Sequence, residues 1–167
     1  MKALFIGRFQ PFHNGHLKII QQASKEYNEI IIGIGSSQYG NTLENPFNSD
    51  ERTLMIEKSL ENEGITNFSI VLFPDIHNYP KWVSHVVSIT SDFDVVLSNS
   101  SLTKRLFSEK GYVVKKTLIF DRSKYSGKEI RERIIKNEQW ENLVPEPVYK
   151  IIKEIDGVNR LKKLSNC

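Results

Sequence analysis

The chain has 167 residues, 39% hydrophobic and 26% charged, with a formal net charge of +3. That is enough for one compact domain with a real core, read as spanning 1–167, and too little for a second. The slight basic excess suits anionic small molecules and falls short of the dense basic face of a duplex binder, so no nucleic-acid partner is expected. The single cysteine, Cys167, excludes an internal disulfide framework or a cysteine zinc site. No apolar run reaches the length of a signal peptide or a bilayer span, so neither membrane association nor export is expected and a cytoplasmic location is.

Taken in chain order, Ala3–Ile6 reads as a buried strand. It runs into Gly7, which lets the chain turn sharply, and then into Arg8-Phe9-Gln10-Pro11-Phe12-His13-Asn14-Gly15-His16. Asn14 is a good N-cap for a helix over about 14–27, whose apolar side is Leu17, Ile20, Ala23 and Tyr27. The open end of such a helix has unpaired amides carrying about half a positive charge, so it attracts anions. His13 and His16 add donors there. Each ring is expected to be neutral when the site is empty and cationic beside a bound polyphosphate.

Further strands are expected at Glu29–Ile34, Phe68–Leu72, Val95–Leu97 and Tyr112–Val114, alternating with helices at about 50–63, 80–90, 101–110 and 126–137. Aliphatic runs such as Ile30-Ile31-Ile32 fit strands buried on both faces. Right-handed crossovers then give an α/β, doubly wound, Rossmann-like parallel sheet with helices on both faces. From about 140, Leu143, Val144, Val148, Ile151, Ile152 and Ile155 suggest a helix started by Pro145, packed on the sheet edge, closed by Gly157 and followed by a basic tail.

Ligands of such sheets lie at the carboxyl ends of the strands. Those ends carry Gly7-Arg8, Gly33-Ile34-Gly35-Ser36-Ser37-Gln38, Pro74-Asp75-Ile76-His77-Asn78 and Ser98-Asn99-Ser100-Ser101. The irregular stretch 36–49 is long for a compact domain and reads as a substrate-covering loop. Two helix starts are also unusual. The helix at Ser49 has the expected Asp50 and Glu51, but the first helix opens with His16 and Lys18. The helix at Ser126, where Ser126 and Glu129 make a capping box, has Lys128, Arg131 and Arg133 around it. Positive charge at two helix starts after strand ends points to phosphate. A zinc site on His13 and His16 would need His77, His85 or carboxylates at no recognisable spacing, so no metal ligands are assigned. Trp82, at a helix start after a loop, suits either core packing or stacking on a planar ring.

Gly7-Arg8-Phe9-Gln10-Pro11-Phe12-His13-Asn14-Gly15-His16, with Tyr125-Ser126-Gly127 and Arg131, resembles the nucleotidyltransferase superfamily with its His-x-Gly-His signature. Nearly end to end, the chain is similar to archaeal-type nicotinamide-mononucleotide adenylyltransferases: Gly33-Ile34-Gly35-Ser36, Glu44-Asn45-Pro46-Phe47, Glu51-Arg52, Asp75-Ile76, Trp82, Phe120-Asp121-Arg122 and Leu143-Val144-Pro145 fall in family order. The resemblance implies transfer of AMP from ATP to nicotinamide mononucleotide, giving NAD and pyrophosphate, with Mg2+ carried mainly by the ATP phosphates and a homo-oligomer, commonly a hexamer. It assigns His13, His16 and Arg131 to catalysis. Gly7, Arg8, Phe9, His13, His16, Ser126 and Arg131 fall to ATP and its phosphates, and Gly35, Ser36, Asp75, Ile76 and Trp82 to the mononucleotide.

Three places depart from the family pattern. Lys128 stands where a threonine is usual, Ser98–Ser101 replaces Ser-Gly-Asn-Pro, and the asparagine before Trp82 is Asn78 with Tyr79 after it. No Ser or Cys dyad is evident, so direct in-line attack by the mononucleotide phosphate, without a covalent enzyme intermediate, is the mechanism expected. The alternatives are an adenylyltransferase for flavin mononucleotide or phosphopantetheine, a transferase joining CMP to a polyol phosphate, and a catalytically silent nucleotide-binding module. A class I aminoacyl-tRNA synthetase fits poorly, because the chain is too short to hold tRNA as well.

Overall fold

A computed structural model describes residues 1–166; Cys167 lies outside the described residues. The elements are β1 (Lys2–Gly7), α1 (Asn14–Glu26), β2 (Glu29–Gly35), α2 (Ser49–Asn62), β3 (Phe68–Phe73), α3 (Tyr79–Ile89) and β4 (Val95–Leu97). Then come α4 (Ser101–Glu109), β5 (Val113–Lys115), α5 (Gly127–Ile135), a short 3-10 turn (Glu141–Leu143), α6 (Glu146–Glu154) and α7 (Gly157–Ser165). The strands form one parallel sheet in the order β3-β2-β1-β4-β5, so the chain winds outward in both directions from β1.

Alternation along the central strands divides the core between two faces. Ala3, Phe5, Ile30, Ile32, Ile34, Val95 and Leu97 point toward the face covered by α1, α2, α5, α6 and α7. Leu4, Ile31 and Val96 point toward α3 and α4, where they meet Val83, Val86 and Phe107. Ile30, Ile31 and Ile32 are fully buried, each contributing roughly 1.5–3 kcal/mol relative to exposure. Because β1 lies between β2 and β4, the strand order reverses beside it, and the loops after β1 and β4 diverge there to leave a crevice.

Three local expectations are corrected. The N-cap of α1 is His13, not Asn14, whose Nδ2 instead donates to the carbonyl of Asn142 at 3.0 Å. The sharp turn after β1 falls at Phe9, with φ 54°, and not at Gly7; a Cβ on Gly7 would lie 3.0 Å from the Phe9 ring, so Gly7 is there for close packing. Gly157 opens α7 and does not close a helix. The basic tail is itself amphipathic, burying Leu161, and the C-terminal segment packs α6 on α2 and α7 on α5 and not on the sheet edge. Arg160 on α7 anchors it by two bonds to the Glu51 carboxylate, 2.7 and 2.8 Å, and one to the Pro46 carbonyl. Burial raises the Glu51 pKa, but the hydrogen bonds from Arg160 and the Asn48 amide together with the charges of Arg160 and Arg52 outweigh it, and the net shift is downward.

Candidate active site

The start of α1 is closed by its own two histidines. Nδ1 of His13 accepts from the amides of Gly15 (3.1 Å) and His16 (3.3 Å), and Nδ1 of His16 accepts from the amide of His13 at 3.1 Å. The rings stack with centroids 3.6 Å apart. Phe9 and Phe12 flank His16, while Phe120 and Tyr125 flank His13. Burial in this aromatic surround pushes the His13 pKa down to about 3 and that of His16 well below the usual imidazole value, the latter helped by His13. Both rings are therefore neutral. Because both Nδ1 atoms accept, the remaining proton of each ring is on Nε2, which makes each a neutral donor. A second proton could enter each ring only at Nδ1, displacing a cap hydrogen bond.

Tyr125 leads directly into the start of α5. There Ser126 caps the helix, its Oγ accepting from the Glu129 amide at 3.1 Å, while the Glu129 carboxylate pairs with Arg133 at 2.9 Å and does not return to the cap. Half of the expected capping box is thus present. Arg131, 9% exposed, reaches from α5 to donate through Nη1 to the Gln10 carbonyl at 2.8 Å. Gly127 permits this crossing, since a Cβ there would lie 2.8 Å from both Arg131 Nη1 and the Gln10 oxygen. The guanidinium, 121 residues from Gln10 in sequence, is thereby tied to the segment three residues before His13.

Two cavities adjoin this junction and share Arg8. One, of about 230 Å³, is lined by Gly7, Arg8, Gly35, Ser36, Asp75 and Trp82, together with Asn78, Tyr79 and a wall from α4 (Leu102, Thr103, Leu106). The other, of about 400 Å³, lies between the 36–48 loop and α5 and is lined by Arg8, Leu43, Glu44, Lys128, Arg131, Glu132 and Ile135. Of the residues assigned to the site from sequence, Phe9, His13, His16, Ile76 and Ser126 line neither; Phe9 is buried beneath the His16 ring. A third hollow of about 300 Å³ runs past Asn99, Lys116, Phe120 and Arg122. Asn99 is committed to Thr117 through bonds of 2.8 and 2.9 Å, which links the ends of β4 and β5.

The α4 wall and Arg160 were not singled out from sequence, and Arg52 and Gln10 stood within the family-like motifs with no role assigned. Arg52, fully buried on α2, donates to the carbonyls of Arg8, Gly35, Ser36, Tyr39 and Asn48 at 2.9–3.3 Å. Its pKa falls to about 10 through burial and then the Arg8 charge, against the pull of Glu51. The available signal was a cation at helical spacing on the stripe Met55, Ile56, Ser59 and Leu60. Gln10 bonds both the amide and carbonyl of Phe47, and Arg160 holds Pro46. With Gln38 bonded to Asp75 and Tyr39 to His77, these contacts fasten the 36–48 loop as a wall of the crevice.

The cytidylyltransferase-like family model matches residues 4–133. The nicotinamide-nucleotide adenylyltransferase of Methanococcus aeolicus is 52% identical over 99% of this chain and 95% of its own, and that of Thermoplasma volcanium is 49% identical over 98% and 92%. A bifunctional NMN adenylyltransferase/ADP ribose pyrophosphatase from Francisella tularensis, crystallised with AMP and a manganese ion, superposes with a TM-score of 0.79 at 23% identity, covering 99% of this chain and 52% of that one. That likeness establishes the shared fold, with this chain spanning about half the bifunctional protein. The chain belongs to the cytidylyltransferase-like family and, within it, groups with the nicotinamide-nucleotide adenylyltransferases.

Proposed function

We propose that this protein transfers the adenylyl group of ATP to nicotinamide mononucleotide, forming NAD and releasing pyrophosphate. The observation that carries the reading is the junction of the histidine-capped α1 start with Arg131 through Gln10, beside two cavities that share Arg8. The mononucleotide would enter the smaller cavity, its ring on Trp82 and its phosphate toward Arg8; Asp75, Gly35 and Ser36 complete that wall. The adenosine half would lie past Phe120, and the β- and γ-phosphates in the cation-lined cavity.

A mononucleotide phosphate oxygen then attacks the α-phosphorus, forming the new P–O bond as the bond to the β-phosphate bridging oxygen breaks and pyrophosphate leaves. No side chain needs to form a covalent bond. The neutral Nε2–H groups of His13 and His16 donate to the phosphoryl oxygens as charge develops, while Arg8 and Arg131 orient the triphosphate. Among the described residues no group of three or more His, Cys, Asp or Glu is placed to hold a metal ion. The donor set therefore does not suit a resident ion, and Mg2+ would accompany ATP on its phosphate oxygens. Among the described residues no helix is long and apolar enough to cross a membrane. The homo-oligomer implied by resemblance is part of this proposal, to be checked by light scattering.

Incubation with ATP, Mg2+ and nicotinamide mononucleotide should yield NAD and pyrophosphate in equal amounts. Parallel incubations with flavin mononucleotide, phosphopantetheine and nicotinic-acid mononucleotide define the acceptor. Absence of NAD with turnover of another acceptor would replace the reading, and absence of any turnover would leave a nucleotide-binding module.

A further inference from the structure

The larger cavity holds more charge than the reading above uses. Lys128, at the second position of α5, is exposed on its wall and makes no ion pair or side-chain hydrogen bond among the described residues. A cation in the first turn of a helix opposes the helix dipole, which makes the position mildly unfavourable for a lysine. Arg8 and Arg131 line the same cavity, and Arg131, although nine-tenths buried, places only Nη1 in a hydrogen bond. Its pKa is lowered by burial and then by the charge of Arg8, against the opposing pull of Glu44 and Glu132. Facing them from the loop is Glu44, with no ion pair among the described residues, and Glu132 lies on the α5 side.

Resting on the adenylyl-transfer reading, we infer that Lys128 is a third cationic contact for the departing pyrophosphate, and that Glu44 on the opposite wall limits how tightly that product is held. Arg8 borders both cavities, so the phosphorus under attack lies near it and the group beyond it, among Arg131 and Lys128, is the one that leaves. A lysine ammonium presents three donors and a mobile charge at the position where a threonine hydroxyl is usual in similar enzymes. It adds attraction for a highly charged product. Glu44 becomes a repulsive neighbour once the phosphates arrive, opposing slow release.

The test measures binding of inorganic pyrophosphate by calorimetry, and its inhibition constant against ATP, for wild type, Lys128→Thr, Lys128→Arg and Glu44→Gln. Lys128→Thr should weaken pyrophosphate about tenfold at low ionic strength, the loss expected for one charge-assisted contact. Lys128→Arg should restore most of it, Glu44→Gln should tighten it about threefold, and KM for the mononucleotide should stay unchanged in all three. Unaltered pyrophosphate affinity in Lys128→Thr, or an equal rise in the mononucleotide KM, overturns the inference. If wild type forms no NAD, the parent reading falls, but calorimetry still decides whether Lys128 and Glu44 act oppositely on this anion.

Discussion

His13 and His16 each use Nδ1 to accept the other's backbone amide, at 3.3 and 3.1 Å, so the two rings are at once the cap of α1 and a pair of oriented donors. A cap from Ser or Asp would satisfy the same amides but present no further N–H. Fold and chemistry therefore meet in the same two bonds.

Replacing His16 by Ala should lower the single-turnover rate of adenylyl transfer by about 10²–10³-fold, as for loss of a transition-state donor, while affinity for the mononucleotide changes little. Rapid-quench kinetics beside equilibrium binding of the mononucleotide makes the comparison. A near-wild-type rate would remove His16 from the chemistry and leave it a cap.

The buried histidines set a pH dependence of stability. Their folded pKa values lie below the ordinary 6.5, that of His13 at about 3, so the unfolded chain binds more protons between those limits. Stability should be insensitive to these groups above pH 6.5 and fall as the pH drops from there toward 3, with a slope approaching about 1.4 kcal/mol per unit for His13 alone. Urea unfolding at a series of pH values measures it. The slope should shrink in His13→Asn, which can still cap the helix.

Trp82→Ala should raise KM for the mononucleotide about threefold to tenfold, the worth of an aromatic contact, with KM for ATP nearly unchanged. Trp82→Phe should recover part of the loss. Equal weakening of both substrates would argue against a stacking role.

Arg52→Met keeps the volume and removes the donors that hold five carbonyls. Leaving those oxygens unsatisfied should cost at least about 3 kcal/mol and expose the 36–48 loop amides to exchange. Chemical denaturation and hydrogen exchange give the two readings. A stable variant with a protected loop would show that the other fastenings suffice.

What could be read from the chain alone was what local pattern controls. The five strands and the first five helices fall within a few residues of the positions that periodicity implies, because apolar spacing and caps act over one or two turns. The resemblance carried by His13-Asn14-Gly15-His16 and Ser126–Arg131 likewise lies in contiguous residues. The cap itself was misplaced onto Asn14, since an imidazole is not an ordinary capping group and only the folded backbone shows it accepting.

Tertiary structure alone decided which distant groups meet. Arg131 reaches Gln10 because α5 packs on the same face of the sheet as α1, and Arg52 becomes the centre of a carbonyl cluster because β1, β2 and the 36–48 loop end around it. Sequence patterns record the preference of each segment for helix, strand or burial. They do not record which carbonyl a buried guanidinium will find, because that partner is chosen by the packing of the whole chain.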